Sequence, residues 1–426
     1  MSVQTDEEYA AFRRDLHRHP EPAWCEFYTT ARIVEALRER DLDAVHVGPD
    51  ALAEDSRRNV PDDDELEAWL DRAREAGADP EVLDRLEGGY TGCVAVAERG
   101  EGPVVGLRVD IDGLPILEAE DGEHVPAAEG FRSENEGYMH ACGHDSHATI
   151  GLGVLDAVLD SDFSGTLKVF FQPGEEKIVG GKPMAESGLL DDVDYFYAVH
   201  IGLDHPSGEV VSGIDGFLAV KHFLAEFDGE PSHAGARPEQ GRNTVQAMAA
   251  AIQNLYAIPR HADGATRVNA GLVGGGTATN IIPEESYIEG EVRGESTALA
   301  DYMFAHADRV LHSAAEMHDC TVDVTTMGAA PSATSDDALS DAIAEVASGI
   351  EGVTSVVESA DLGGSEDATF MMNRVQERGG LACYVGVGTD HPGGHHTSTF
   401  DVVEDDIGIG IDVISTAIRR VAETRP

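Results

Sequence analysis

The sequence predicts an α/β protein whose mostly parallel sheet is interrupted by a smaller, two-layer α+β module. Short runs rich in β-branched and aromatic residues, such as CVAVAER, TLKVFFQ and DYFYAVHIG, alternate with helical segments. This alternation is typical of strands buried in a parallel sheet. Between residues 215 and 326, alternating half-exposed strands instead accompany long amphipathic helices. The chain of 426 residues is 42% hydrophobic, enough for a core in each part.

The first elements are helical. Residues 6–40 carry apolar side chains at helical spacing, interrupted at residues 17–22 by the turn-like HRHPEP. Residues 50–88 are acidic and helical, which predicts a surface insertion. From residue 92 the pattern changes to short strands, with CVAVAER and PVVGLRVDID first.

The central segment differs from both flanks. Its strands KHFLAEFDGE and SYIEGEVRG alternate between apolar and polar residues, and its helices NTVQAMAAAIQNLYAI and ALADYMFAHADRVLHSAAEM are amphipathic. The later strand LACYVGVGTD and the last helix return to the first sheet. We therefore expect a discontinuous domain of residues 1–214 and 327–426, with a second domain of residues 215–326 inserted in it.

The charge balance excludes one class of partner. The chain has 80 acidic against 29 basic residues, a net charge of -51, and four lysines. A phosphate backbone would be repelled, so we expect no binding to nucleic acid. Self-repulsion of this size is screened within about 3 Å at about 1 M salt, which predicts a protein adapted to a salt-rich cytoplasm.

Cysteine usage and hydropathy bear on location. The five cysteines are scattered without a paired pattern, which argues against a disulfide framework. No apolar run reaches the roughly 20 residues of a membrane-spanning helix, and the N-terminus lacks the features of a signal peptide. We expect a cytoplasmic protein that does not bind membranes.

The densest group of chemically active residues is MHACGHDSH, residues 139–147. Cys142 and His144 lie two residues apart, and a soft thiolate with an imidazole can bind a borderline metal such as Zn or Mn. A thiol enzyme with Cys142 as nucleophile and His144 as base is the alternative. The short separation suits shared metal binding better.

Further candidates follow other predicted strands. Glu175 and Glu176 end QPGEE after the strand TLKVFF, His200 ends YFYAVH, and His395 and His396 follow the glycines of DHPGGHH. Ligands at the carboxyl ends of parallel strands share one crevice. Each motif alone is more often a solvated face or a hydrogen-bonded residue, but their joint occurrence at strand ends favours a metal site.

The chain resembles the M20 metallopeptidase family, in the amidohydrolase subgroup that includes aminoacylases, indoleacetyl-amino-acid hydrolases and p-aminobenzoyl-glutamate hydrolases. The similarity covers nearly the whole chain, and its segments occur in family order: LHRHPEP, GLRVDIDGLP, MHACGHDSH, FFQPGEE, YAVHIG, SHAGARPEQGRN, ATNIIPEESYIEGEVRGES and GHHTSTFD. MHACGHDSH followed by QPGEE is the specific part. The resemblance implies a mostly parallel-sheet catalytic domain with an inserted dimerisation or lid domain.

The resemblance also implies roles for individual residues. The metal ligands would be Cys142, His144, Glu176, His200 and His396. Cys142 stands where related peptidases use a bridging aspartate, so it would span two divalent ions, Mn or Zn.

The same resemblance makes Glu175 the general base. It implies that His233 polarises the scissile carbonyl, and that Asn280 and Arg293 hold the substrate carboxylate. Residues Asp112, Asp145 and His147 would orient the ligands. A turn residue at Asn280 and a strand salt bridge at Arg293 are the structural alternatives for those two positions.

The expected activity is hydrolysis of the amide bond in an N-acyl or N-aroyl amino acid, with p-aminobenzoyl-glutamate among the candidate substrates. We expect a homodimer, with a heterodimer of related subunits as the alternative assembly. The alternative function is a non-catalytic or partner-dependent metal-binding subunit. An uncoordinated carboxylate such as Glu175 has no use in a pure binding module, which favours the enzyme.

Overall fold

The computed structural model describes residues 7–426, so residue 6, where the first helix is predicted to begin, lies outside the described residues. The strands of these residues are β1 (Ala44–Val47), β2 (Cys93–Glu98), β3 (Val104–Asp110), β4 (Thr166–Gln172), β5 (Tyr195–Ile201), β6 (Glu209–Val211), β7 (Ile214–Asp215), β8 (Ala219–Asp228), β9 (Ser232–His233), β10 (Thr266–Gly275), β11 (Ile281–Ile282), β12 (Glu285–Gly294), β13 (Thr321–Ala330), β14 (Ser355–Val357), β15 (Ala360–Asp361) and β16 (Leu381–Val387). The helices are α1 (Glu7–Arg18), α2 (Phe27–Arg38), α3 (Asp63–Glu75), α4 (Pro80–Leu86), α5 (Val125–Glu129), α6 (His144–Leu159), α7 (Gly181–Ala185), α8 (Thr244–Leu255), α9 (Thr297–Met317), α10 (Asp337–Ala347), α11 (Ala368–Glu377) and α12 (Glu404–Thr424).

The chain divides into two compact units. Among the described residues, the larger comprises 7–215, 333–362 and 367–426, and the smaller comprises 216–332 and 363–366. Strand β13 continues past residue 326, so the smaller unit extends a few residues beyond the predicted segment. The dimerisation or lid role expected for that segment stays a prediction.

An eight-stranded sheet forms the centre of the larger unit, in the order β1-β2-β4-β3-β5-β16-β6-β14. Strands β4, β3, β5 and β16 run parallel to their neighbours within this group, whereas β1 and β2 are antiparallel at one edge. Strands β3, β4 and β5 are buried along nearly their whole length, as their apolar runs predict. The predicted α/β class with a mostly parallel sheet is confirmed.

Helix α6 is the most deeply placed helix of this unit. It packs on α12 and α1 and on strands β3 and β4, and both its polar N-terminal turn and its apolar remainder are buried. The acidic segment at residues 50–88 forms α3 and α4, which pack on α2. Their acidic residues are exposed, while Leu66, Trp69, Leu70 and Leu83 face inward. None of the helices in residues 7–426 combines the length and apolar character needed to cross a bilayer.

The smaller unit is a two-layer α+β structure. Its four strands are antiparallel in the order β10-β12-β8-β13, and α8 and α9 pack on this sheet. Phe223, Ile288, Val292, Met303 and Leu311 lie in the core between the two layers. A short antiparallel pair, β9 with β11, completes the unit.

Candidate metal centre

The parallel strands bring distant parts of the chain to one edge of the sheet. Strand β3 ends opposite β4, with Asp110 paired to Gln172, and β5 is the other neighbour of β3. The loops that follow β3 and β4 and the end of β5 therefore meet at the carboxyl edge, next to the start of α6. Gly143 makes the turn into α6 with a φ of +88°, and a Cβ there would lie 2.7 Å from Ile201.

Five sets of three side chains among the described residues offer ligand atoms within 4.8 Å of one another, and two of these sets contain Cys142. The first set is Cys142, His144 and His200, and the second is Cys142, Glu176 and His396. Cys142 belongs to both, and its sulfur lies 3.5 Å from Nε2 of His200. The structure thus brings the five predicted metal ligands together around one thiol.

Two polar atoms in these sets lack hydrogen bonds within the described chain. They are Nε2 of His144 and Oε1 of Glu176, both buried and 3.7 Å apart. Buried polar atoms are nearly always paired, and an imidazole nitrogen facing a carboxylate oxygen is a typical ligand arrangement for a divalent ion. The residues present therefore fit a divalent metal.

Burial and charge shift the pKa values of these groups in opposite directions. Burial alone would lower the pKa of His144, but Asp110, Asp112 and Glu176 outweigh it and raise the pKa to about 10. Burial raises the pKa of Glu176 to about 8, although His144 opposes the shift. Burial lowers the pKa of His200 well below its usual range. Crowded buried groups with shifted pKa values are typical of functional sites.

Asp112 fixes three of the site residues at once. Its Oδ1 lies 3.2 Å from Nδ1 of His144 and also accepts a hydrogen bond from the backbone N–H of Glu175. Its Oδ2 accepts from the N–H of Glu176 at 3.0 Å. Because Nδ1 of His144 points at Asp112, Nε2 is the atom that faces the site.

Hydrogen bonds also decide which histidines can bind a metal. His147 accepts from the N–H of Ile201 with Nε2, so its Nδ1 carries the proton that it donates to Asp110. Both of its nitrogens are engaged in these hydrogen bonds, and its role in orienting the ligands stays a prediction. His200 donates Nδ1–H to the carbonyl of Ile201 and keeps Nε2 for the site.

His395 and His396 separate in the same way. His395 accepts a hydrogen bond from the N–H of Leu203 with Nε2, so Nδ1–H faces the sulfur of Cys142 at 3.5 Å. His396 instead turns Nε2 toward Oε2 of Glu176, at 3.5 Å. The geometry therefore favours His396 as a ligand and gives His395 a role that the sequence did not suggest, as a hydrogen-bond donor to the thiolate.

Asp145 supports the site from behind. It forms an ion pair with Arg13 at 2.7 Å and a hydrogen bond with Nδ1 of His17, both on α1. His17 continues the network to Glu118 through Nε2. Asp145 therefore fixes the first turn of α6, directly after His144, and does not contact the imidazole of a predicted ligand in these hydrogen bonds.

The remaining predicted residues belong to the smaller unit. His233 on β9 is exposed and pairs with Ile281 of β11, and the carbonyl of Asn280 accepts from the N–H of Ala234. Nδ1 of His233 accepts hydrogen bonds from the N–H groups of Gly235 and Ala236. Its Nε2 must then carry the proton, which makes the exposed side of the ring a donor.

Arg293 lies on β12 and has a partner already. Its guanidinium forms a forked pair with Glu291, with two N–O distances of 2.9 Å, and NH1 contacts Ser365 at 3.3 Å. His222 also approaches Glu291, at 3.3 Å. The structure therefore brings His233 on β9 close to Asn280, which directly precedes β11, and it places Arg293 in an ion pair.

A family model described as Peptidase family M20/M25/M40 matches residues 106–420, which is most of the chain and includes every candidate site residue. The chain belongs to this family. The predicted family membership is confirmed.

Relatives of this M20 protein extend over nearly its full length. It is 42% identical over 413 residues to the indole-3-acetyl-aspartic acid hydrolase of Enterobacter agglomerans. The aligned residues cover 96% of this chain and 94% of that protein. It is 39% identical over 418 residues to one of the subunits of p-aminobenzoyl-glutamate hydrolase from Escherichia coli strain K12, covering 97% and 96%. The M20 protein is therefore an enzyme, a hydrolase of the metal-dependent peptidase and amidohydrolase class.

A solved structure shares this M20 fold throughout. The crystal structure of an aminobenzoyl-glutamate utilization protein from Klebsiella pneumoniae matches with a TM-score of 0.85 and 35% identity, covering 98% of this chain and 96% of that one.

Proposed function

We propose that this M20 hydrolase cleaves the amide bond between an acyl or aroyl group and an amino acid, with two divalent ions, Mn or Zn, at the candidate centre. One observation carries the dinuclear proposal: Cys142 belongs to both ligand sets. His144 and His200 would complete one ion's set, and Glu176 and His396 the other's. When bound, such ions lower the pKa of a coordinated water to about 7 and polarise the substrate carbonyl.

Glu175 is the proposed general base. Its carboxylate lies outside both sets that contain Cys142 but is close to them: it forms sets with His144 and Glu176 and with Asp110 and Glu366, and its Oε2 lies 4.0 Å from Nε2 of His144. Asp112 accepts a hydrogen bond from the backbone N–H of Glu175, which fixes the backbone from which this side chain extends. The carboxylate would accept a proton from the attacking water and then deliver it to the leaving nitrogen, a contribution of about 10²- to 10⁴-fold to the rate.

His233 is the proposed donor to the oxyanion. The hydrogen bonds to its Nδ1 leave Nε2–H as a preorganised donor, and preorganised donors stabilise charge that develops in the transition state. Its exposure suits entry into the site of a second copy of the chain, as the family resemblance implies. A homodimer is therefore the assembly we propose.

Arg293, with Asn280, is the proposed contact for the amino acid's α-carboxylate. A guanidinium binds a carboxylate through two parallel hydrogen bonds, as Arg293 does with Glu291 in this structure. We assign the NH1 group of the guanidinium, which lies beside the hydroxyl of Ser365, to contact with the substrate carboxylate. Such a contact would select substrates with a free carboxylate.

The names of the relatives narrow the substrate class. Indole-3-acetyl-aspartate and p-aminobenzoyl-glutamate are both amides of a dicarboxylic amino acid with an aromatic acid. We propose an aromatic acyl group on aspartate or glutamate for this chain, with p-aminobenzoyl-glutamate as the first substrate to test.

The deciding experiment is hydrolysis by the purified chain alone in about 2 M KCl, where surface charges are screened. The substrates are p-aminobenzoyl-glutamate, indole-3-acetyl-aspartate and N-acetyl-aspartate, after chelation and after return of Mn or Zn. We expect turnover of the aromatic amides that chelation abolishes and metal restores. Glu175→Gln should keep its metal and lose turnover by about 10²-fold or more. Activity that survives complete metal removal but not thiol alkylation would instead establish the Cys142 thiol mechanism.

A partner-dependent component of a larger hydrolase is the second candidate function, because one relative is named as a subunit of its enzyme. The same experiment separates the two. Turnover by this chain alone supports the independent enzyme, whereas turnover that appears only after a second, different chain is added supports the hetero-oligomer.

A further inference from the structure

A second buried carboxylate lies beneath the turn that carries the proposed base. Glu26, just before α2, is completely buried. Its Oε1 accepts a hydrogen bond from the backbone N–H of Gly174 at 2.7 Å, and its Oε2 accepts from the hydroxyl of Thr91 at 2.6 Å. The residue that this carboxylate holds, Gly174, directly precedes Glu175 in the chain.

Three consecutive backbone N–H groups, those of residues 174–176, donate hydrogen bonds to two buried carboxylates, and one of these carboxylates is Glu26. Gly174 donates to Glu26, and Glu175 and Glu176 both donate to Asp112. Gly174 has a φ of +67°, and a left-handed residue within such a run turns successive N–H groups to one side, which creates a concave site for anions. Two protein carboxylates fill it here.

Holding this second carboxylate in the interior is unfavourable. Burial raises the pKa of Glu26 well above its usual range, and the charge of Asp112 raises it further. Capping of α2 does not account for the residue, because its side chain makes no capping hydrogen bond to that helix. Glu21, from the same loop, makes the capping hydrogen bonds to α2 instead, by accepting from the N–H groups of Tyr28 and Thr29.

The residues that hold the Glu26 side of the contact with Gly174 are themselves connected by hydrogen bonds. Thr91, which donates to Glu26, is followed by Gly92, whose N–H donates to the hydroxyl of Thr30 on α2. The first turn of α2 and the residues before β2 therefore form one fixed support. Gly174 is bound to that support through Glu26.

We propose that Glu26 is a positioning residue for the reaction: it holds Gly174 so that the Glu175 carboxylate meets the attacking water at the correct distance. This inference rests on the proposed function, in which Glu175 is the base. A displacement of about 1 Å in a catalytic group can lower a rate by about 10²-fold. Among the described residues, the hydrogen bonds of the Glu26 carboxylate come from Gly174 and Thr91, neither of which is a proposed metal ligand.

The test compares two replacements of Glu26. Glu26→Gln keeps an oxygen for the Gly174 N–H and offers an amide toward Thr91, so kcat should stay within about 3-fold of the wild-type value. Glu26→Ala removes the acceptor and should lower kcat by about 10- to 100-fold, with KM and bound metal unchanged. Glu21→Ala is the matched control, a buried carboxylate of the same loop whose loss should lower thermal stability and leave kcat unchanged.

A second readout does not depend on catalysis. Hydrogen exchange in a peptide spanning residues 172–180 should be faster in Glu26→Ala than in wild type or Glu26→Gln, in metal-free protein as well as loaded protein. Thr91→Val removes the other hydrogen bond of Glu26. It should also make hydrogen exchange faster and kcat lower than in wild type, each by a smaller factor than Glu26→Ala does. This variant decides the matter if Glu26→Ala does not fold.

Each outcome has one meaning. Unchanged exchange in Glu26→Ala would overturn the proposed contact, and faster exchange with unchanged kcat would overturn the positioning role. Loss of bound metal in Glu26→Ala would also overturn it, because the residue would then act through the ligands. If the wild-type chain shows no turnover on any substrate, the proposed function fails, while the exchange measurement still tests the contact.

Discussion

The ring of His395 presents its Nδ1–H to the sulfur of Cys142 at 3.5 Å, instead of offering a lone pair to the metal centre. The other nitrogen is already used, because Nε2 accepts from the N–H of Leu203. His396, the next residue in the chain, directs Nε2 toward Glu176. The two adjacent histidines therefore make different contacts.

Metal analysis of variants tests this difference. His396→Ala should lose about one of the two proposed ions, because one ligand set would be left with Cys142 and Glu176. His395→Gln should keep both ions but bind them about 10- to 100-fold more weakly, as is usual when a residue that supports a ligand is changed. Metal content after dialysis and competition with a chelator measure the two effects. A full complement of metal in His396→Ala together with a lost ion in His395→Gln would reverse the assignment.

Substrate analogues test Arg293. Arg293→Ala should raise KM about 10- to 100-fold with little change in kcat, because the proposed contact with the substrate carboxylate would be made in the ground state and the transition state alike. The matched control is Arg267→Ala, since Arg267 on β10 is paired directly with Arg293. The measurement compares a substrate with its α-carboxamide analogue in both variants. An equal loss for acid and amide would show that Arg293 serves only its ion pair with Glu291.

The buried network behind α6 predicts a pH dependence of stability. Burial and Arg13 lower the pKa of His17, but Asp145 and Glu118 outweigh them and raise it to about 9. A pKa raised on folding stabilises the protein fully below the unfolded value of about 6.5, and this contribution is lost as pH rises toward 9.

For a fully buried group, the shift corresponds to about 3 kcal/mol. The free energy of unfolding in urea, at constant KCl concentration, should therefore fall between pH 6 and pH 9.5 in wild type. It should fall less in His17→Gln. His312→Gln on the exposed surface of α9 is the control, and it should follow the wild-type curve. Parallel pH curves for wild type and His17→Gln would contradict the assignment.

The net charge of -51 predicts a dependence on salt. Repulsion among exposed carboxylates, many of them on α3 and α4, is screened in concentrated salt and acts over about 10 Å at 0.1 M. We expect the thermal midpoint and the activity to fall as KCl is lowered below about 1 M. Sucrose at equal osmolality is the control, since it does not screen charge. Unchanged activity and midpoint after dialysis into 0.1 M KCl would contradict the prediction.

The sequence predicted the parts of the fold that depend on local pattern. The runs TLKVFFQ and LACYVGV became the buried strands β4 and β16, because a strand covered on both faces is apolar along its whole length. The turn HRHPEP separates α1 from α2 as expected. The sequence predicts the boundary of the inserted segment at residue 326, inside β13, because the alternating pattern gives no local signal of where this strand ends. The whole of β13 lies in the smaller unit.

The candidate site was predictable in its ligand types and less so in its supporting contacts. Thiolates, carboxylates and imidazoles at strand ends favour metals, which makes Cys142, both glutamates of QPGEE and both histidines of GHH candidates. The choice of Glu176 and His396 as ligands is what the family resemblance implies. The role of His395 depends on the N–H of Leu203, and that of Glu26 on the N–H of Gly174. Backbone donors from distant loops leave no trace in residue type, so only coordinates reveal these contacts.

The pairing of β8 with β13 has a practical consequence. The smaller unit's main segment begins next to β8 and finishes after β13, and Val220 near its start is paired with Ala330 near its end. Paired strands lie about 5 Å apart, a gap that two or three glycines can bridge. Protein engineers can therefore excise this segment as a cassette, or exchange it for that of another amidohydrolase, without leaving distant chain ends to be rejoined.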